Sequence, residues 1–369
     1  MPPIYFLIKP ASGNCNMRCE YCFYHDVAEN RAVASYGVMS KQTLENVVKT
    51  AMEHAEGACG FMFQGGEPTL AGLDFFREAV RLQKEYNRKG LQVFNSIQTN
   101  GYCIDREWAQ FLAKENFLVG LSLDGMKEIH DGCRVDAQGK GTFSKVMHAA
   151  QLFSAYGVEF NILTVVTAHT AKNIGKIYGF FKKNGFMYQQ YIPCLDPLGE
   201  QRGTFSYSLT PERYAEFLKK LFDLWYADFM RGEYVSIRWF DALVHMCKGR
   251  APGSCGMLGV CTPQLVVEAD GGVYPCDFYV LDGLRLGTVG VETPAQWEEK
   301  RKALGFIEQS KKVEPQCRSC RWAPLCRGGC RRDREQPDGT IGLNYFCPAF
   351  QSFFEYAAPR LMEIAKRVP

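Results

Sequence analysis

Three cysteines, Cys15, Cys19 and Cys22, form a CxxxCxxC group in the stretch GNCNMRCEYCFYHD. Their number matters more than their spacing. A cubane iron-sulfur cluster has four iron corners and is ordinarily held by four thiolates, so a local trio leaves one iron open to a small molecule. An iron with an open coordination position is a place where chemistry can happen. A closed zinc site wants four ligands, and within tetrahedral spacing only His25 completes this set, so zinc stays as the alternative. Three cysteines within eight residues of a Gly/Asn/Arg loop also fit poorly to a packed apolar face.

A second group lies near the C-terminus: Cys255, Cys261, Cys276, Cys317, Cys320, Cys326, Cys330 and Cys347. Eight thiols make two closed sites of four. Their spacing alone equally allows Cys317, Cys320, Cys326 and Cys330 to be one local zinc site. Asp277 directly follows Cys276 in YPCDFYVLD. The other five cysteines, Cys59, Cys103, Cys133, Cys194 and Cys247, lie within or beside apolar segments and read as packing residues. Arginines 318, 321, 327, 331, 332 and 334 crowd the last cysteines. They admit a nucleic-acid patch, but local charge balance explains them better, since a cubane with four thiolates is a net dianion that guanidinium groups offset.

These residues need a scaffold. From the start to about residue 234, six apolar runs alternate with amphipathic stretches. The expected strands begin at Ile4, Gly60, Leu91, Phe117, Val158 and Phe186; KQTLENVVKTAMEHA, LDFFREAVRLQKEYN and FSKVMHAAQLFSAYG read as helices between them. Parallel strands need crossover helices, so six such units predict an α/β fold with a partial (β/α)6 TIM-like barrel and its chemistry at the C-terminal strand ends. Polar groups fall there: Gln64-Gly65-Gly66-Glu67-Pro68, QTNG from Gln98 and SLDG from Ser122. After the long helix TPERYAEFLKKLFDLWYADFM, short segments punctuated by Gly, Pro and Cys predict a second domain organised by metal, giving domains 1–234 and 235–369.

With 369 residues, 46% hydrophobic and net charge +3, the chain reads as an ordinary globular protein with no field for nucleic acid. The segment MPPIYFLIKPAS has neither a basic lead nor the length to span a bilayer, which predicts a cytoplasmic protein without a membrane. Sixteen cysteines at ligand spacings point to metal thiolates in a reducing compartment rather than disulfides.

The CxxxCxxC motif with Tyr21 before its third cysteine resembles that of the radical S-adenosylmethionine enzymes, and the C-terminal cysteine pattern resembles their SPASM domain. Through LIKPAS, CNMRCEYCFYHD, FQGGEPTLAGL, FLVGLSLDG, YSLTPERY and FFEYAAPRL, the whole chain is similar to the anaerobic sulfatase-maturating enzymes. The resemblance implies three 4Fe-4S clusters and S-adenosyl-L-methionine as cofactors. It implies Cys15, Cys19 and Cys22 on the first cluster, Cys255, Cys261, Cys276 and Cys330 on a first auxiliary cluster, and Cys317, Cys320, Cys326 and Cys347 on a second. Tyr21, Gly66, Ser122, Arg134 and Leu195 would meet S-adenosylmethionine: the backbone at Gly66 its amino group, Ser122 its ribose, Arg134 its carboxylate and Leu195 its adenine. Asp277 would be the base that helps oxidise a cysteine, and also a serine, of an unfolded sulfatase CxPxR or SxPxR segment to Cα-formylglycine. An electron donor such as flavodoxin or ferredoxin is the further partner implied. Tyr24, Gln64 and Tyr191 are candidates for positioning the peptide. The alternatives are a SPASM peptide maturase that forms crosslinks and, from another class, an iron-sulfur electron carrier or a zinc-stabilised peptide-binding module.

Overall fold

The computed structural model describes residues 3–368; Met1, Pro2 and Pro369, the outer ends of the two expected domains, lie outside the described residues. Among the described residues twelve strands are formed: β1 Ile4–Ile8, β2 Met17–Cys19, β3 Ala58–Phe63, β4 Gln92–Thr99, β5 Leu118–Ser122, β6 Arg134–Asp136, β7 Phe160–Val166, β8 Tyr188–Pro193, β9 Ser236–Ile237, β10 Leu265–Val267, β11 Gly272–Tyr274 and β12 Gly287–Thr288. The six expected strands are β1, β3, β4, β5, β7 and β8, each within two residues of its expected start. Helices Lys41–His54, Leu73–Tyr86, Arg106–Lys114 and Phe143–Tyr156 connect the first of them, with 168–183 between β7 and β8. This mostly parallel α/β architecture is the class the alternating pattern predicts.

The chain divides into two compact, interleaved units. The first is drawn from Met1–Leu123, Asp131–Phe160 and Pro263–Gly305, and the second from Asp124–His130, Asn161–Thr262 and Phe306–Pro369. In the first unit the strand order is β12-β11-β10-β1-β3-β4-β5, and β2 pairs antiparallel with β6. Strands β1, β3, β4 and β5 run parallel, with Phe6 opposite Phe61 and Ile8 opposite Phe63. Their helices start where side chains can satisfy free amides: the Ser40 hydroxyl accepts from Thr43 N and the Asp105 carboxylate from Trp108 N. Phe63, Phe76, Trp108 and Phe117 meet edge-on or stacked behind the sheet, with Phe63–Phe76 centroids 5.0 Å apart. In the second unit β7, β8 and β9 run parallel. There helix Pro211–Met230 packs against helix Cys347–Arg367 through Tyr214, Phe222, Phe346 and Phe353.

Of the six strands that the helix-strand alternation does not predict, β10 matters most to the first unit's sheet. It follows the anticipated boundary at residue 234 yet pairs in parallel with β1, Leu7 opposite Val266. Its signal was present in the sequence: VVEADGGVY is two short apolar runs around Asp270-Gly271, a hairpin turn in which Gly271 takes φ +87°. The pairing is locked by three buried charges. Glu268 accepts from Arg31 Nη1 at 2.6 Å and lies 3.2 Å from Lys9 Nζ, with each side chain no more than 1% exposed. Burial by itself would raise the Glu268 pKa, but Lys9, the Ala269 amide and Arg31 outweigh it and hold the carboxyl below its usual value.

Removing one member of a buried ion cluster strands the others, which costs about 3–5 kcal/mol. Glu268→Ala should therefore lower the unfolding free energy by about that amount in anaerobic denaturant titrations. Because the folded pKa is depressed, the stabilisation is complete above the ordinary glutamate range near about 4.3 and is lost as pH falls through the folded value. Glu268→Gln should show a flatter loss of stability than the parent as pH drops from about 6 to below 4, and parallel curves would contradict the assignment.

Candidate active site

The cysteine trio is built by local geometry. Cys19 ends β2, and Cys22 takes extended backbone to start helix Phe23–Glu29. Cys15 Sγ receives the Met17 amide at 3.4 Å and Asn100 Nδ2 at 3.6 Å. Pairing of β2 with β6 sets Cys19 opposite Arg134, whose Nη1 lies 3.7 Å from the Cys19 sulfur and whose guanidinium stands 5.4 Å over the Tyr21 ring. The surrounding protein pushes the Cys15 thiol up to about 12 although the residue is exposed on its loop, opposed by the Met17 amide and reinforced by Glu67, Cys19 and Cys22. Clustered thiols that oppose one another's ionisation, with N–H donors at two sulfurs, suit a cationic metal core that takes them as thiolates. Among the described residues, no three His, Cys, Asp or Glu side chains close at the spacing a single ion needs.

The expected rim residues sit at the C-terminal ends of strands. Gly65 takes φ +117°, and a Cβ on Gly66 would lie 2.1 Å from Asn14 O, so no other residue fits there. The Gly66 and Glu67 amides bond Ser12 O and Asn14 O, fastening this turn to the loop that leads into Cys15. Glu67 is itself a brace: it accepts from Thr69 N, Thr69 Oγ1, Thr99 Oγ1 and Asn100 N at 2.6–3.0 Å. Ser122 ends β5 and accepts from Gln98 Nε2 at 3.1 Å. Leu195 is half-buried in the loop after β8, in the second unit. Tyr191 is buried there too, its hydroxyl donating to Gln189 at 2.8 Å.

Asp277 lies in the first unit, one residue beyond Cys276 and just after β11. One of its oxygens, Oδ2, accepts from Tyr24 Oη at 2.6 Å and from Gln64 Nε2 at 2.8 Å. The other, Oδ1, is buried and has no hydrogen-bond partner among the described residues. Burial raises the Asp277 carboxyl above its usual value, against the pull of Lys9, Tyr24 and Gln64. Burial and the Asp277 charge likewise hold the Tyr24 phenol well above its ordinary range, so it is a donor here. Phe23 packs 4.9 Å from Phe278, bringing the helix after Cys22 against the segment after Cys276. Sequence reasoning missed Lys9, whose Nζ stands 5.2 Å from the Tyr24 ring centroid. A lysine closing the apolar run YFLIK was its signal.

In the second unit the remaining cysteines sort into two neighbourhoods. Cys330 is raised to about 12, chiefly by burial, and feels the charges of Cys261 and Cys255. Cys326 is raised to about 11 by burial and feels Cys347, Cys317 and Cys320. Arg331 and Arg334 act on Cys261, and Arg334 on Cys317. Three of the six arginines are buried and donate to backbone carbonyls: Arg331 to Phe306 O, Arg332 to Asp196 O and Arg334 to Ser310 O. Of the five cysteines read as packing residues, Cys59, Cys133 and Cys194 are buried and Cys247 and Cys103 half-buried, and Cys103 accepts from Asn16 Nδ2 at 3.1 Å beside the trio loop.

Known proteins match this architecture. The radical SAM superfamily pattern covers residues 10–181, and an iron-sulfur cluster-binding domain (SPASM) covers 255–321. The cysteine-type anaerobic sulfatase-maturating enzyme of Clostridium perfringens is 53% identical over 369 residues, 100% of both chains. The serine-type enzyme of Bacteroides thetaiotaomicron is 32% identical over 97% of this chain and 90% of its own. The solved structure of native anSMEcpe with bound AdoMet and Kp18Cys peptide superposes with a TM-score of 0.95 at 52% identity, covering 100% of each chain. The chain therefore belongs to the anaerobic sulfatase-maturating enzymes of the radical SAM superfamily.

Proposed function

We propose that this protein oxidises a cysteine, and also a serine, in a CxPxR or SxPxR segment of an unfolded sulfatase to Cα-formylglycine, activating the sulfatase under anaerobic conditions. The observation that carries the proposal is the divided carboxylate of Asp277: Oδ2 is held by Tyr24 and Gln64, while Oδ1 is buried without a partner. A buried oxygen with no donor is costly unless something supplies one, and a substrate thiol or hydroxyl would do so.

Cys15, Cys19 and Cys22 hold a 4Fe-4S cluster with an open iron for S-adenosylmethionine, contacted by Tyr21, Gly66, Ser122, Arg134 and Leu195. Cys255, Cys261, Cys276 and Cys330 hold a first auxiliary 4Fe-4S cluster, and Cys317, Cys320, Cys326 and Cys347 a second. The grouping of Cys330 with Cys255 and Cys261, and of Cys326 with Cys317, Cys320 and Cys347, supports this division over a local zinc site. The functional division is a radical domain over 1–234 and an auxiliary-cluster domain over 235–369. An electron donor such as flavodoxin or ferredoxin serves the enzyme in the cytoplasm. Among the described residues no helix is long and apolar enough to cross a membrane.

When bound, these groups supply a carbon radical that takes a hydrogen atom from the target Cβ and an acceptor for the electron left behind. The protein's own part is proton chemistry. Asp277 Oδ1 takes the thiol proton, so the Cβ–S single bond becomes a thioaldehyde with loss of one hydrogen atom, one proton and one electron. Water then replaces sulfide to give the aldehyde, whereas serine yields it directly. Tyr24 and Gln64 keep the Asp277 carboxylate from turning and leave Oδ1 as the base.

An Asn at 277 keeps the shape but cannot accept the proton, and a positioned base contributes about 100-fold to 10,000-fold. Asp277→Asn should load its iron and still form 5'-deoxyadenosine, while formylglycine in a CxPxR peptide, measured by mass spectrometry, falls by about that factor. Aldehyde formed at the parental rate would remove Asp277 from the reaction.

Anaerobically reconstituted protein should hold about twelve irons, and the triple variant Cys15→Ala, Cys19→Ala, Cys22→Ala about eight, from four per cubane. That variant should form no 5'-deoxyadenosine. Stoichiometric zinc with little iron would refute the cluster assignment.

A further inference from the structure

We infer that Asn100 is a positioning residue for the first cluster: its side-chain amide donates to the Cys15 sulfur and thereby raises the potential at which that cluster accepts an electron. The inference rests on the reading that Cys15, Cys19 and Cys22 hold that cluster. Asn100 follows the last residue of β4 and is buried, 7% exposed. Every other polar group of its side chain and its own amide is committed. Its backbone N–H donates to Glu67 Oε2 at 2.7 Å, and its Oδ1 accepts from Tyr102 N at 2.9 Å. With the oxygen taken by an amide, the side chain cannot flip, and Nδ2 must be the end that faces the cysteine loop. It donates to Asn16 Oδ1 at 2.8 Å and reaches Cys15 Sγ at 3.6 Å, while Asn16 in turn donates from Nδ2 to Cys103.

The arrangement is thus a braced donor rather than a chance approach. The carboxylate of Glu67 fixes the end of β4, Tyr102 fixes the amide's orientation and Asn16 fixes its reach. Hydrogen bonds to thiolate sulfurs are among the levers that set the potential of an iron-sulfur cluster, because an N–H dipole stabilises the extra negative charge of the reduced form. No bond is made or broken by this contact. Its effect is to let a weaker one-electron donor, which loses the electron the cluster gains, supply a larger reduced fraction.

The test is a redox titration of the reconstituted holoenzyme by electron paramagnetic resonance, following the signal that changes on addition of S-adenosylmethionine. Only an open-corner cluster responds in that way. Asn100→Leu, close in volume and without a donor, should move the midpoint downward enough to cut the reduced fraction about tenfold at fixed poise, about 59 mV for a one-electron couple. Asn100→Asp, which places a carboxylate at the sulfur, should move it further. Turnover driven by a flavodoxin should fall with the midpoint, and fall more steeply than 5'-deoxyadenosine formation in excess titanium(III) citrate. An unchanged midpoint in fully loaded Asn100→Leu overturns the inference. If that variant fails to load, Asn100→Ser replaces it, and loss of the first cluster's iron in both variants also overturns it, since Asn100 would then be needed for assembly. Absence of any S-adenosylmethionine-responsive signal in the parent protein refutes the cluster reading itself.

Discussion

The parallel pairing of β10 with β1, pinned by Glu268 between Lys9 and Arg31, is the constraint on which the site depends. Only three residues of each strand pair, and a short apolar ladder tolerates slippage by one residue at the cost of turning every side chain over. A buried carboxylate that must meet two particular cations permits no such shift, because any other register leaves charge buried without a partner. The register in turn decides where the chain emerges after β11, and so where Cys276 and Asp277 stand relative to Tyr24 and Gln64. Arg31 also donates to Ala34 O and Ser12 Oγ, which ties the same lock to the loop that carries the cysteine trio.

Two buried carboxylates in the first unit are partnered in different ways. Glu67 accepts four donors, three on Oε1 and one on Oε2, and so holds the ends of β3 and β4 together. Asp277 accepts two donors on one oxygen and none on the other. Both are pushed upward by burial. What sets the two apart is the hydrogen-bond inventory: both oxygens of Glu67 are engaged, whereas Asp277 Oδ1 keeps its acceptor positions unused.

The arginine run divides in a comparable way. Arg331, Arg332 and Arg334 are buried and bind backbone carbonyls of distant segments, acting as struts for a region with few regular elements, while Arg318, Arg321 and Arg327 face solvent. Guanidinium groups suit that work because a planar fork can serve several carbonyls without losing its charge, and Arg331 and Arg334 still act on neighbouring thiols.

Much of this was legible in the amino-acid sequence. Six apolar runs spaced by amphipathic stretches dictated the parallel strands, because strand and helix periods differ and crossover connections leave few topologies. The CxxxCxxC trio, the GGE turn and the eight C-terminal cysteines were equally plain, since metal ligands and glycine-only backbone need particular residue types at short range. What tertiary structure alone decided is the long-range pairing: Asp277 with Tyr24 and Gln64, Glu268 with Lys9 and Arg31, and Asn100 with Cys15, while Cys330 comes to feel the charges of Cys255 and Cys261. Each joins residues whose separation in the chain carries no information about contact. A hairpin three residues wide, announced only by VVEADGGVY, sets where Asp277 falls, because burial of charge fixes partners that local propensity cannot see.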